Sequence, residues 1–135
     1  METSGLLYQS ASCLVRRIKS GEVTSVDVVT AHLDQIARHN PKIHAVVTLT
    51  REKALSDARL ADERVASGQP LPPLLGVPIT VKDSFRMEGV RTTFGLPIFH
   101  WHVPGSDCEV IRRVRKSGAV IFKAAAAAGA RAASR

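Results

Sequence analysis

Residues 74–85 read L-L-G-V-P-I-T-V-K-D-S-F. Val77, Ile79 and Val81 are apolar at period 2, the mark of a half-buried β-strand. Lys82 and Asp83 follow at its end. A lysine there is either a solvated strand terminus or a buried amine with a chemical task. Gly76 and Gly89 permit tight backbone paths on either side.

Helices are predicted before this strand. Ser10 caps a helix over Ala11–Lys19, with Leu14 and Ile18 on one face and Gly21 as a left-handed stop. Thr24 or Ser25 caps a second, where Asp27 suits the positive end of the helix dipole. Val26, Val29, Leu33 and Ile36 form its apolar stripe, and Asn40-Pro41 is expected to end it. "HAVVTL" (44–49) reads as a short strand rich in β-branched residues. A third helix fits Glu52–Ala66, with Thr50 as cap and Ala54, Ala58, Ala61 and Val65 as a small-residue stripe. Ser67-Gly68 ends it before a loop rich in proline and glycine.

Beyond Asp83 lies a long, turn-rich stretch without clear period, the kind of segment that is functional or mobile in compact domains. Ser106-x-x-Glu109 reads as a capping box. The helix it opens turns Val110, Ile111 and Val114 inward and its arginines outward, and Gly118 stops it. "AVIF" (119–122) reads as a buried strand. Alternating helices and strands point to an α/β fold.

The 135 residues, 44% apolar and 23% charged, fit one modest domain or a piece of a larger one. No run of eighteen apolar residues occurs, and the first twenty lack the pattern of a signal peptide. Cys13 and Cys108 lack metal-ligand or redox spacing, so a reduced, cytoplasmic setting is expected. The net charge of +7 does not point to nucleic acid. Residues 1–122 hold 16 Lys and Arg against 12 Asp and Glu, and Lys123, Arg131 and Arg135 supply the rest. Arg112, Arg113, Arg115 and Lys116 cluster on one helix, but few aromatics lie near them to stack on bases. That cluster reads as a solvated basic face.

The segments "SGEVTSVDVVTAHLDQIARHNPKIHAVVTL", "PLLGVPITVKDSF", "GVRTTFG" and "VPGSDCEVIRRVRKSGAVIF" occur in this order over about residues 10–122. Together they resemble the opening portion of the amidase signature family. The resemblance implies helices around a mixed β-sheet, of which this chain is a truncated N-terminal part. It also implies hydrolysis or transfer of amide groups by a serine nucleophile, a bridging serine next to a cis peptide, and a lysine. Lys82 matches that lysine.

Free lysine titrates near pKa ~10.4, and burial among apolar groups favours its neutral form. A neutral amine can take a proton from the bridging serine, which relays it from the nucleophile. Lowering the pKa by about three units corresponds to on the order of 4 kcal/mol, which demands a dry pocket. Asp83, Thr92 and Thr93 read as scaffold for the turn rather than direct participants. The resemblance implies a small-molecule amide substrate and no cofactor. A homo-oligomer or a complex with a full-length relative stays open.

Other candidates are weaker. His100 and His102 flank Trp101, but no acidic or cysteine cluster joins them to make a metal site. Cys108 at a helix start invites a nucleophile reading, yet no histidine is paired with it. Ser84 matches neither family serine. The family's serines lie in a glycine- and serine-rich stretch downstream of the matched region. Phe122 is followed directly by "KAAAAAGARAASR", without the glycine or asparagine of the family pattern. Residues 1–122 are therefore expected to be the amidase portion and 123–135 an atypical tail outside the fold. A truncated gene model, frameshift or mis-spliced end would produce such a switch. A chain with only the lysine is expected to be inactive alone and marginally stable. The expected activity is amide hydrolysis. The alternatives are the A-type component of a tRNA-dependent amidotransferase and a non-catalytic partner-binding scaffold.

Overall fold

The computed structural model describes residues 3–125, with side chains over 5–122. A 3-10 turn (Thr3–Leu6) leads into α1 (Ala11–Lys19), α2 (Ser25–Ile43), α3 (Arg51–Ala66), β1 (Pro78–Lys82), α4 (Glu109–Lys116) and β2 (Val120–Ala125). A second 3-10 turn, Pro97–Phe99, interrupts the long β1–α4 connection. The two described strands are parallel, with Ile79 opposite Ile121. An antiparallel strand of the expected mixed sheet is not among the described residues.

The first helices form for the reasons their sequences give. The Ser10 hydroxyl accepts the Cys13 amide hydrogen, and Leu14 and Ile18 are buried. Thr24 and Asp27 make a reciprocal capping box at the start of α2. Asp62 of α3 then grips the same terminus. Its Oδ1 accepts from the Ser25 amide at 2.6 Å and its Oδ2 from the Val26 amide at 3.1 Å. These are orphan donors of a helix N-terminus, where the dipole also favours an anion. The buried Ser25 hydroxyl donates to the Gly76 carbonyl at 2.9 Å, tying α2 to the lead-in of β1. Gly76 has φ +74°, and a Cβ there would sit 2.7 Å from the Ser25 Oγ.

The core follows the strand period. Val120 and Phe122 pack with Val29, Leu33, Ala54 and Ala58 between the sheet and α2–α3. Ile121 points the other way and packs with Met87, Val90 and Ile111. The alanines of α3 bring its backbone close, as their size permits. No helix among the described residues is long and apolar enough to cross a membrane.

Several expected local features give way to tertiary contacts. Helix α2 runs through Pro41 to Ile43 and ends at His44 in the left-handed region, φ 50°. Pro41 is exposed, and the turn is closed by the His44 amide donating to the Asn40 carbonyl at 2.7 Å. Segment 44–49 forms no strand among the described residues. The Asn40 side chain occupies both the N–H and the C=O of Val46, at 2.8 and 2.9 Å. The Thr50 hydroxyl donates to the Ile121 carbonyl at 3.4 Å instead of capping α3. The Ser106 capping box is not made: α4 starts after Cys108, which gives no side-chain cap. Val110 faces outward, leaving Ile111 buried and Val114 half-buried. Strand β2 continues to Ala125, three residues past the expected boundary at Phe122. The remainder of the tail lies outside the described residues.

Removing the Asp62 carboxylate leaves two helix-terminal amides without their acceptor. Asp62→Ala is expected to lower stability by about 1–3 kcal/mol in urea denaturation. Gly76→Ala is expected to cost more, since it combines a left-handed backbone with a clash.

Candidate functional site

The site forms where β1 ends. The β1–β2 register is regular from Pro78 to Val81 and shifts between Val81 and Lys82, so that Lys82 pairs with Ala125. Such irregularities interrupt the regular ladder where they occur. The chain then turns, with the Phe85 amide donating to the Lys82 carbonyl at 3.0 Å.

Asp83 is 2% exposed. Its Oδ2 accepts from the Thr93 amide at 3.0 Å and from the Thr93 hydroxyl at 2.6 Å. The Thr93 Oγ1 accepts in turn from the Gly95 amide at 3.2 Å. Thr92 is fully buried; its amide donates to the His102 carbonyl and its hydroxyl to the Val90 carbonyl. The residue next to Lys82 is thus latched to the T-T-F-G turn, ten positions further along. Asp83, Thr92 and Thr93 come together behind the end of the strand.

The expected burial of Lys82 is not met. Its side chain is exposed, on the sheet face it shares with exposed Thr80, while Ile79 and Val81 pack toward α4. The apolar period of the strand therefore belongs to the opposite face from the lysine. Ser84 is exposed as well.

The remaining candidates are not drawn together. His100, Trp101 and His102 are all exposed, with His100 edge-on to Trp101 and His102 edge-on to Phe99. No group of three or more His, Cys, Asp or Glu that could hold a metal exists among the described residues. Cys108 is a half-buried free thiol at the start of α4, and Cys13 is likewise free.

Two features carry little signal in the sequence. Asp107 clamps the loop to α4: its Oδ1 accepts from the Glu88 amide at 2.8 Å and its Oδ2 pairs with Arg115 at 2.7 Å. Burial alone would raise its carboxyl, but the Glu88 hydrogen bond and the Arg115 guanidinium outweigh it. They hold Asp107 below the usual carboxylate range. The second is Phe94, a bulky residue at φ 54° followed by Gly95 at φ 74°. Only the glycine of that pair could be anticipated as left-handed.

A family model described as Amidase matches residues 27–127. The chain belongs to this amidase family. Among curated proteins it is 40% identical over 115 residues to the A-type component of the glutamyl-tRNA(Gln) amidotransferase of Carboxydothermus hydrogenoformans. That match covers 85% of this chain and 24% of the relative. The corresponding Streptomyces coelicolor protein is 39% identical over 119 residues, 88% of this chain and 24% of its own. Among solved structures, the peptide amidase of Stenotrophomonas maltophilia superposes with TM-score 0.80 at 29% identity, covering 87% of this chain and 24% of that one. A fatty acid amide hydrolase shares the fold with TM-score 0.87 at 24% identity, over 93% of this chain and 22% of its own. The chain therefore spans about a quarter of the length of the relatives it matches.

Two measurements check the site's architecture. Thr93→Val removes a hydroxyl from a buried carboxylate and is expected to cost about 2 kcal/mol, with Thr93→Ser recovering most of it. Because the folded carboxyl of Asp107 is depressed, its stabilisation is complete above its unfolded value and is lost as pH falls through the folded one. Below about pH 4 the parent is expected to lose stability more steeply than Asp107→Asn, read from urea midpoints across the acid range.

Proposed function

We propose that this chain is the lysine-bearing portion of an amide hydrolase of the amidase family, with Lys82 as the group that moves the proton. The observation carrying this reading is the placement of Lys82. It stands at the irregular end of β1, beside the latched Asp83–Thr93 pair, inside the region that matches the family.

In this reaction a serine Oγ attacks the amide carbonyl and the O–C bond forms. Its proton passes through the bridging serine to the neutral amine of Lys82. The C–N bond then breaks as that proton is delivered to the leaving amine, and water releases the acyl group from the serine. The amine can act this way only if its exposed face of β1 is covered and dried. Within the 135 residues, Lys82 matches the family set and no serine does. The oxyanion donors of the family also accompany the nucleophile. The chain by itself is inactive on this reading. The substrate is a small-molecule amide. The two free thiols support a reducing compartment, here the cytoplasm.

A second reading rests on one observation. The curated relatives at 38–41% identity are A-type components of amidotransferases, whereas the solved amidases lie lower. On that reading the same lysine would serve amide transfer onto a glutamyl-tRNA. Dependence of glutamine cleavage on a charged tRNA would separate it from free-standing hydrolysis.

The purified 135-residue chain is expected to show no turnover of a simple amide above background. A protein that contains this segment together with the two serines is expected to be active. Lys82→Ala in it should reduce kcat/KM on the order of 10³-fold while circular dichroism stays unchanged. Undiminished activity in that variant would overturn the assignment.

A further inference from the structure

The β1–α4 connection carries an apolar projection. Two backbone hydrogen bonds close its base: the Thr92 amide donates to the His102 carbonyl at 2.9 Å, and the Gly89 amide to the Pro104 carbonyl at 3.0 Å. Thr92 and Pro104 are buried, whereas every residue from Leu96 to Val103 is exposed. Within the projection Phe99 lies edge-on to both Phe94 and His102, with ring centroids 5.5 and 5.9 Å apart. Ile98 and Trp101 lie outside that stack and are 86% and 85% exposed. Leu96 and Val103 flank them and are exposed as well. Apolar surface concentrated in this way marks an interaction site.

The chemistry of the projection selects its partner. Residues 92–106 contain no Asp, Glu, Lys or Arg, in a chain that is 23% charged. The backbone there is largely paired with itself. The amides of Leu96, Phe99, His100 and His102 donate to the carbonyls of Thr93, Leu96, Pro97 and Phe99, and Pro97 has no N–H to satisfy. Amides paired internally are not stranded when a segment enters an apolar medium. A protein interface, in contrast, ordinarily adds hydrogen bonds across its rim. Trp101 has an apolar body and a single N–H, the kind of side chain that gathers where lipid headgroups meet acyl chains. The flanks of the projection are basic. Residues 82–122 hold seven Lys and Arg against four Asp and Glu, and Arg86, Arg91, Arg112 and Arg113 are exposed.

We infer that residues 96–103 form a wedge that seats this chain on the surface of an anionic lipid bilayer. Ile98 and Trp101 enter to the depth at which headgroups meet acyl chains, and the flanking arginines meet the headgroup phosphates. Attachment of this kind strengthens with the apolar area buried and with attraction to anionic lipid, and it needs no spanning helix. The closed base contributes as well. Because the two hydrogen bonds already hold the loop, its apolar side chains are presented without a further ordering cost on binding. The inference does not rest on the assignment of Lys82.

Trp101 is the one tryptophan of the chain, so its emission reports on the wedge directly. The test mixes the 135-residue chain with vesicles of equal parts phosphatidylcholine and phosphatidylglycerol and reads binding by flotation. Binding is expected with a blue shift of Trp101 emission. Lipids brominated high on the acyl chain should quench that emission more than lipids brominated near its end. Pure phosphatidylcholine vesicles should bind at least about tenfold more weakly. Ile98→Asp and Trp101→Ala should each weaken binding at least about tenfold. Both positions are exposed, so the melting temperature of either variant should stay within about 5 °C of the parent. Tyr8→Ser, at an exposed aromatic outside the projection, should leave binding unchanged. Absence of binding, binding without a change in Trp101 emission, equal binding to the neutral vesicles, or indifference to both wedge variants overturns the inference. So does a blue shift produced by protein concentration alone together with a dimer in analytical ultracentrifugation, which would assign the surface to a second copy. A larger loss of melting temperature in both variants overturns it too, by marking the two side chains as core.

Discussion

The architecture depends on one carboxylate holding the end of one helix. Asp62 satisfies the first amides of α2 and so fixes α3 against it. The same residue of α2, Ser25, donates its hydroxyl to the Gly76 carbonyl and sets where β1 begins. Three elements therefore meet at one polar junction surrounded by core. A buried polar group is expensive unless paired, and here every partner is specific. Position and direction, more than bulk apolar burial, are what this junction supplies. From it the register of β1 against β2 follows, and from that register the location of Lys82.

At the far end of the strand a second junction does the same for the site. The Asp83–Thr93 latch and the buried Thr92 hold the turn after Lys82 to a loop that is otherwise irregular. The amine itself is left in water on the face away from α4. Backbone and side chain are thus treated differently: the turn around the lysine is fixed by hydrogen bonds, while the lysine side chain itself is exposed. That division is consistent with a segment spanning a quarter of its family's length.

Much of this is legible in the residues. Helix α1 carries its cap, its buried face and its stop in plain order, and the strand at 78–82 shows its period. The phrase containing Lys82 and Asp83 points to the family, and Asp83 and Thr93 do meet in the turn beside it. What fails are inferences from single residues whose partners lie elsewhere. Pro41 has the look of a helix end, but an exposed proline near a C-terminus is tolerated when Asn40 closes the turn. Ser106 fits a capping motif, yet its neighbour Asp107 is engaged by Glu88 and Arg115. Burial does not extend to Lys82, because an apolar period says which residues share a side, not which side the next residue takes. Phe94 gives no signal at all, since its backbone is set by the latch and not by its own preference.

The pairing of β1 with β2 also has a history in time. Ile79 and its partner Ile121 are separated by roughly 40 residues of chain. At synthesis rates of about 5–20 residues per second, the first strand leaves the ribosome some 2–8 s before the second exists. Through that interval its edge has no ladder to join. The residues of the three preceding helices and of the Asp62 junction have been made by then, but the core between α2 and α3 still lacks Val120 and Phe122. Val77 and Ile79 therefore have their partners in α1 and α2 already made, whereas Val81 waits for α4.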